Sequence, residues 1–348
     1  MPTPISKFGE FKLINRLTEE YRPTRKSTLK GVGDDAAVLT EESDRVRLVT
    51  SDMLLEGVHF DLVYTPLKHL GYKAVVVNLS DIFAMNGRPE AITVSLGLSS
   101  KFSVEQMEEL YSGMYAALSH YGVDLVGGDT CASQNGLVIS ITCLGSAKRS
   151  EVVYRHGARP NDLLCCTGNL GAAYMGLMLL EREKRVFLAD PTPFFAPKFE
   201  EREYIIERQL RPEARGDIIE ALSNAGVQPT SMIDISDGLS SETHHLCTEG
   251  GVGAVIYAER IPMDTETFAM AEELSVDPFA AALDGGEDYE LLFTVPLECY
   301  SVIEAMKGVS IIGHITEKES GVKLVLPDGS VQNLEQGGWD ARKALNRE

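Results

Sequence analysis

The sequence lacks the features of a secreted, membrane or zinc-binding protein. None of its apolar runs is long enough to span a membrane, and its N-terminus has no apolar signal-peptide core. Its six cysteines include no CxxC pair, so reduced structural thiols are expected rather than a zinc site. These absences predict a cytoplasmic protein that has no membrane partner.

The sequence also lacks an excess of positive charge. It has 32 Lys and Arg against 52 Asp and Glu, a formal net charge of −20. A nucleic-acid partner needs a basic surface, so this class of partner is disfavoured. Phosphate-bearing substrates stay possible, because bound divalent cations reverse the local sign of an acidic site.

Several common catalytic motifs are missing as well. There is no GxxxxGK[ST] segment, no GxSxG segment, no HExxH segment, and no set of HRD and DFG triplets. These absences exclude P-loop enzymes, nucleophile-elbow hydrolases, the zinc proteases of the HExxH type and protein kinases.

The length and composition indicate two globular domains. The chain has 348 residues, 44% of them apolar and 24% charged, and chains beyond about 250–300 residues usually divide. Strand-like and helix-like patterns alternate up to about residue 147, and a charged segment containing Gly-Ala-Arg-Pro follows. We predict an α/β (α+β) fold with domains over residues 1–147 and 148–348. An amphipathic helix over 8–21 and a proline-rich loop over 187–199 are also predicted.

Short segments framed by glycine or apolar residues carry most of the candidate chemistry. They are GVGDDAAVL with Asp34 and Asp35, VTSDML with Asp52, VNLSDIFAMNG with Asp81, LVGGDT with Asp129, IDISDGL with Asp234 and Asp237, and LDGGEDYELLFT with Glu287 and Asp288. An unpaired buried carboxylate is costly, whereas several carboxylates that converge can share divalent cations. Mg²⁺ prefers such oxygen ligands together with substrate phosphates. The pattern predicts a phosphoryl-transfer site with several Mg²⁺ ions.

Asp81 is the strongest single candidate. Its neighbours in VVVNLSDIFAM are apolar, and Asn78 lies three residues before it on the same face of the predicted helix. The other segments also have simpler interpretations. The GxGDD segment could be an ordinary turn, Thr50-Ser51-Asp52 a cap, and each half of the Asp234–Asp237 segment an N-cap. The double glycine before Asp129 permits close approach by a nucleotide phosphate.

Taken together and in this order, the motifs resemble the thiamine-monophosphate kinase family, part of the aminoimidazole ribonucleotide synthetase superfamily. The resemblance rests on GVGDDAAVL, TSDMLLEGVHF, YKAVVVNLSDIFAMNGRP, GGDT, LVISITCLG, YRHGARPND, IDISDGL and GGEDYELLFT, and it runs from about Gly9 to Trp339. It implies ATP- and Mg²⁺-dependent phosphorylation of thiamine monophosphate to thiamine diphosphate. It also implies a homodimer in which the N-terminal domains form a joint β-barrel.

The resemblance assigns roles to individual residues. The implied metal cluster is Asp35, Thr50, Ser51, Asp52, Asp81, Asp129, Asp234 and Asp237, with Asp52, Asp81 and Asp237 as the catalytic carboxylates. The implied ATP contacts are Gly128, Asp129, Arg155 and Ser236, and the implied contacts with thiamine monophosphate are His59, Glu287 and Trp339. Asp34 matches the motif, but the resemblance assigns it no role.

Other members of the superfamily are alternatives, as is a nucleotide-binding regulator without catalysis. Selenophosphate synthetases need a Cys or selenocysteine near the N-terminus, whereas the first cysteine here is Cys131. The hydrogenase-maturation dehydratases end in a reactive cysteine, whereas this chain ends in ALNRE. A regulator would have no use for so many metal ligands.

Overall fold

The structure is a computed structural model that describes residues 14, 16–18, 23–41, 44–189, 199 and 201–338. Of the predicted helix over 8–21, the structure describes residues 14 and 16–18, and these are helical. Most of the predicted loop over 187–199 lies outside the described ranges. Residues 187–189 are the end of a helix rather than part of a loop.

The first half of the chain forms one six-stranded sheet. Its strands are β1 (Thr28–Lys30), β2 (Ala37–Thr40), β3 (Arg45–Leu55), β4 (Arg88–Leu98), β5 (Asp124–Ala132) and β6 (Val138–Lys148). They lie in the order β1-β2-β3-β6-β4-β5. Neighbouring strands are antiparallel except for β4 and β5, which are parallel. Among the described residues the sheet does not close, so β1 and β5 are its edges.

Two helices cover one face of this sheet, α1 (Leu67–Ala84) and α2 (Val104–Tyr121). Along β3 the alternate residues Val46, Leu48 and Leu54 are buried in their core, while Ser51 and Met53 on the opposite face are exposed. This alternation is typical of a strand with one covered face. The described residues therefore leave the other face of the first sheet open.

The two helices cross unusually closely. A Cβ atom at Gly71 would lie 1.9 Å from the backbone oxygen of Leu110, and one at Gly113 would lie 1.8 Å from that of Lys68. Only glycine permits this approach. It brings α1 into a position where 15 of its 18 residues are buried.

The second half forms a seven-stranded sheet with helices on both faces. Its strands are β7 (Leu163–Thr167), β8 (Ser231–Ile235), β9 (Gly253–Tyr257), β10 (Glu290–Val295), β11 (Val309–Thr316), β12 (Val322–Val325) and β13 (Val331–Asn333), in the order β13-β12-β9-β11-β7-β10-β8. The helices are α3 (Ala172–Ala189), α4 (Glu203–Leu210), α5 (Gly216–Asn224), α6 (Leu239–Gly250), α7 (Thr265–Leu274), α8 (Pro278–Asp284) and α9 (Tyr300–Glu304).

Alternate residues of the central strands enter two separate cores. On β7, Leu164 and Cys166 pack with α6 and α8, whereas Leu163 and Cys165 pack with α5 and α9. The predicted mixed α/β character is confirmed, with two sheets rather than one. Neither sheet closes into a barrel in the part of the chain that the structure describes. None of the helices in the described residues has the length and apolarity to cross a membrane.

Candidate active site

Three carboxylates from distant parts of the chain meet between the two sheets. They are Asp35 in the turn before β2, Asp81 near the end of α1, and Asp234 on β8. One carboxylate oxygen of each lies within 4.8 Å of those of the other two. The structure thus brings together residues from three of the motifs that the sequence analysis singled out.

Neighbouring side chains hold these carboxylates in place. The Thr50 hydroxyl donates to Asp81 Oδ2 at 2.5 Å, and the Ser80 hydroxyl donates to Asp234 Oδ2 at 2.7 Å. Arg155 donates to Asp35 Oδ1 from Nη2 at 2.6 Å and from Nε at 3.2 Å. Arg155 lies on the segment between β6 and β7, so the connection between the sheets itself supplies a residue to the site.

Burial and mutual repulsion raise the pKa values of these carboxyl groups. The pKa of Asp81 is well above its usual range because the group is buried and because Asp52, Asp234 and Asp35 repel its charge. The same two causes, burial and the charge of Asp35, raise the pKa of Asp234 to about 7. A bound divalent cation would relieve this repulsion.

The donor set fits a divalent metal ion. Asp35 Oδ2 is buried and has no hydrogen-bond partner among the described residues. Such an orphaned oxygen is costly unless a cation coordinates it. Carboxylate and hydroxyl oxygens are also the ligands that Mg²⁺ prefers. Asp35, Asp81 and Asp234 can therefore hold Mg²⁺.

Asp52 lies beside the cluster without being one of the three. Its backbone N–H donates to Asn78 Oδ1 at 3.1 Å. Asn78 and Asp81 were predicted to share one helix face, and this is confirmed. Both contact β3, Asn78 at Asp52 and Asp81 at Thr50.

The Ser51 hydroxyl lies on the opposite face of β3, where it donates to the Ile141 carbonyl at 3.1 Å. Ser51 can reach the cluster side only through its backbone.

Asp34 anchors the segment between the two sheets. Its Oδ1 accepts from the Arg155 backbone N–H at 3.2 Å, and its Oδ2 lies 3.6 Å from Lys30 Nζ. Burial and the adjacent charge of Asp35 raise the pKa of Asp34 to about 6. This arrangement supplies Asp34 with a structural role that its motif did not reveal.

Asp129 lies on the exposed edge strand β5. It is in register with Ser95 of β4, which is exposed like Asp129 itself. The preceding Gly128 has φ +155°, and a Cβ atom there would lie 1.8 Å from the Val94 carbonyl oxygen. The close approach that requires glycine is therefore one between β5 and β4. Contacts of Gly128 and Asp129 with nucleotide or metal stay predictions.

The turn between β8 and α6 is held by a residue that the sequence analysis missed. Glu242 Oε1 accepts from the Asp237 backbone N–H at 3.0 Å and from the Ser236 hydroxyl at 3.5 Å. Burial and the charge of Asp237 raise the pKa of Glu242 well above its usual range. Glu242 lies in the first turn of α6 and reaches back past the N-cap, Gly238, to the two residues before it.

A cleft of about 190 Å³ contains both described residues that were predicted to bind the acceptor, His59 and Glu287. His59 Nδ1 accepts from the Leu55 backbone N–H at 3.1 Å, so a neutral ring carries its proton on Nε2. Tyr64 and Glu181 also line the cleft, and the Tyr64 hydroxyl donates to Glu181 Oε1 at 2.8 Å. Trp339 lies outside the described residues.

The fold and the site define a class of protein. Residues 33–147 match the family model described as AIR synthase related protein, N-terminal domain. Solved structures of the hydrogenase maturation protein HypE share the fold, one of them at TM-score 0.66 and 17% identity over 91% of this chain and 95% of that one. The chain therefore has the fold of the AIR synthase-related enzymes.

More similar relatives identify the particular family. The chain is 32% identical to thiamine-monophosphate kinase of Bacillus subtilis over 95% of this chain and 98% of that one. It is 35% identical to the Aquifex aeolicus enzyme of the same name over 96% and 98%. The structure of AaThiL complexed with AMPPCP and TMP superposes with a TM-score of 0.82 and 33% identity, covering 98% and 99%. The chain belongs to the thiamine-monophosphate kinase family.

Proposed function

We propose that this protein transfers the γ-phosphoryl group of ATP to the phosphate of thiamine monophosphate, which yields thiamine diphosphate and ADP. The observation that carries the proposal is the pairing of a three-carboxylate cluster with a cleft lined by His59 and Glu287. A relative that covers almost the whole chain was solved with AMPPCP and TMP, which are an ATP analogue and the proposed acceptor.

The proposed metal ligands are the cluster residues Asp35, Asp81 and Asp234 together with Thr50, Ser51, Asp52, Asp129 and Asp237. Of these, Asp52, Asp81 and Asp237 are the proposed catalytic carboxylates. When bound, Mg²⁺ would reduce the repulsion between the two phosphate-bearing substrates. The chain itself contributes a rigid frame, because Thr50 and Ser80 fix two of the cluster carboxylates.

The proposed ATP contacts are Gly128, Asp129, Arg155 and Ser236. Arg155 uses its Nε–H and one Nη2–H on Asp35. A guanidinium group has five N–H donors, so the others remain for phosphate oxygens. The same side chain can thus orient a cluster carboxylate and hold a polyanion in line for transfer.

Neither a general base nor a covalent nucleophile is required. The acceptor phosphate is an anion near neutral pH and attacks directly, so the chain has to position it rather than deprotonate it. His59, Glu287 and Trp339 are the proposed acceptor contacts.

We further propose a homodimer, with the open face of the first sheet in a joint β-barrel. Met53 and Val126 on this sheet are 53% and 60% exposed, and β5 presents an unpaired edge. Exposed apolar residues and free edges favour pairing with another chain.

The proposed domains are residues 1–147 and 148–348, since the first sheet ends at Lys148 and the second begins at Leu163. The proposed location is the cytoplasm.

The decisive experiment is incubation of the protein with ATP, Mg²⁺ and thiamine monophosphate. Thiamine diphosphate and ADP should form in equal amounts, and omission of Mg²⁺ or replacement of the acceptor by thiamine should abolish the product. ADP without thiamine diphosphate would contradict the proposed acceptor. A labelled phosphoprotein that passes its label to thiamine monophosphate would contradict direct transfer.

A further inference from the structure

Lys73 is a buried cation within the YKAVVVNLSDIFAMNGRP motif, and the sequence analysis assigned it no role. It lies in α1 and is only 3% exposed. Its ammonium group donates to Glu287 Oε2 at 2.8 Å and to the Gln209 backbone carbonyl at 3.0 Å. A lysine in an apolar helix needs such partners, because an unpaired buried charge is costly. The ion pair joins the helix of the first sheet to the loop before β10.

The two donors to Glu287 bind the same oxygen. Gln209 Nε2 also donates to Glu287 Oε2, at 2.7 Å. Gln209 is 4% exposed, and its Oε1 has no hydrogen-bond partner among the described residues. The amide therefore presents its NH₂ group to the carboxylate. Because Lys73 and Gln209 both hold Oε2, Oε1 of Glu287 is the oxygen left for a ligand in the cleft that Glu287 lines.

The loop that carries Glu287 has an unfavourable backbone conformation. Glu287 has φ +60° and Tyr289 has φ +51°, values that non-glycine residues rarely adopt. The Glu287 backbone N–H donates to the Ser236 carbonyl at 2.6 Å. Strained residues persist only where their surroundings hold them, and they concentrate at functional sites. The Lys73 ion pair is one of the contacts that hold this loop.

The same helix also carries the metal-facing groups. Ser80 and Asp81 lie seven and eight residues after Lys73 on α1. A rise of 1.5 Å per residue separates Lys73 from Asp81 by about 12 Å along the helix axis. One rigid helix therefore sets the distance between the carboxylate cluster and the Glu287 carboxylate.

We propose that Lys73 is a positioning residue for the acceptor, which fixes Glu287 so that its Oε1 meets the cationic thiamine portion of thiamine monophosphate. Lys73 does not touch the acceptor itself. The inference deepens the proposed function and rests on it for the identity of the acceptor. The competing role is purely structural, in which the ion pair only ties two halves of the chain together.

The test is direct binding of thiamine monophosphate by titration calorimetry, together with steady-state turnover. Lys73→Met should weaken acceptor binding about tenfold, as expected for loss of one interaction with a charged partner. The KM for ATP should change by less than about twofold, because the cluster and Arg155 are untouched. The matched control is Lys148→Met, which removes an exposed lysine that pairs with Glu151 at 2.8 Å, and it should bind like the wild type.

A double-mutant cycle separates positioning from a structural role. If Lys73 acts through Glu287, the Lys73→Met/Glu287→Gln variant should bind the acceptor as weakly as Glu287→Gln alone. If the losses of acceptor affinity in the two single variants multiply in the double variant, to about a hundredfold, the proposal is overturned. Equal losses of affinity for ATP and for the acceptor would overturn it as well. If Lys73→Met does not fold, the double variant still tests the proposal, because it contains neither buried charge of the pair. Its acceptor binding should then match that of Glu287→Gln.

The binding and turnover measurements test the positioning role of Lys73 and the proposed function separately. Acceptor binding that depends on Lys73 without formation of thiamine diphosphate would refute the proposed function and leave the positioning role intact. Normal turnover with unchanged acceptor binding in Lys73→Met would refute the positioning role alone.

Discussion

The two sheets of this protein bury their strands in different ways. Strands β7 and β10 of the second sheet and its edge strand β8 are buried at every position. In the first sheet β3 alternates between buried and accessible residues, and β5 has no fully buried residue. The second sheet is covered on both faces and the first on one. Among the described residues, the second half therefore buries both faces of its sheet, whereas the first half leaves one face of its sheet open.

The site lies where these two regions meet. Asp35 and Asp81 come from the first half and Asp234 from the second. Helix α1 is the common element, because it packs under the first sheet and its Ser80 hydroxyl reaches Asp234. Asp35 and Asp234 are both buried at this junction.

The largest expected effect concerns the carboxylates at this junction. Asp81→Asn should lower kcat by about 10³-fold, because it removes a charged group that positions the transferring phosphoryl group. Asp44→Asn, at an exposed position between β2 and β3, is the control and should retain normal turnover. Circular dichroism should show that both variants fold. A folded Asp81→Asn protein with near wild-type kcat would remove Asp81 from the mechanism.

The next effect compares the covered and open faces directly. Phe293 on β10 is fully buried, so Phe293→Ala should lower the free energy of unfolding by about 3–5 kcal/mol. Met53 on the open face is 53% exposed, so Met53→Ala should change it by less than about 0.5 kcal/mol in a monomer. Denaturant titration at several protein concentrations measures both. A concentration-dependent loss for Met53→Ala would show that another chain covers the open face.

A third prediction concerns the dimer. Val126→Glu places a charge on the edge strand β5, where the valine is 60% exposed in a single chain. We expect the dimer to dissociate while the chain keeps its fold, because a desolvated unpaired charge at an interface is unfavourable. Sedimentation velocity compares the variant with the wild type. Val186→Glu on α3, where the valine is 51% exposed, is the control and should stay dimeric. A wild type that is monomeric at micromolar concentration would refute the proposed dimer and barrel.

The smallest effect is a pH dependence of the metal-free protein. Burial raises the pKa of Asp234 to about 7, above its usual value of 3.8. The folded state then binds more protons than the unfolded state between these values. Stability from this group is therefore highest at low pH and is lost as the pH rises toward 7.

Asp234→Asn should flatten this part of the profile of unfolding free energy against pH. Saturating Mg²⁺ should do the same in the wild type, because the metal replaces the proton. Chemical denaturation between pH 5 and pH 8, with and without Mg²⁺ at matched ionic strength, measures both effects. An identical slope in the wild type and Asp234→Asn would show that Asp234 does not titrate in this range.

Much of the fold followed from local pattern. The strand-like and helix-like patterns up to about residue 147 predicted that strands and helices share the first half, and the apolar run around Asn78 and Asp81 predicted a buried helix, because periodicity reports which residues face a core. The mixed α/β character and the family were also accessible from the sequence, since the motifs keep their order along nearly the whole chain. The predicted start of the proline-rich loop at residue 187 was wrong, because residues 187–189 still belong to helix α3.

The sequence by itself determined the chemical types of the site groups, since several carboxylates that converge can share divalent cations. Only the tertiary structure decided which groups meet. Arg155 pairs with Asp35 across 120 residues, and Lys73 pairs with Glu287 across 214. Strand alternation also places the Thr50 and Ser51 hydroxyls on opposite faces of β3. Local sequence sets the periodicity of each element, but contacts between distant segments depend on how the elements pack, and that packing is decided by the burial of the whole chain.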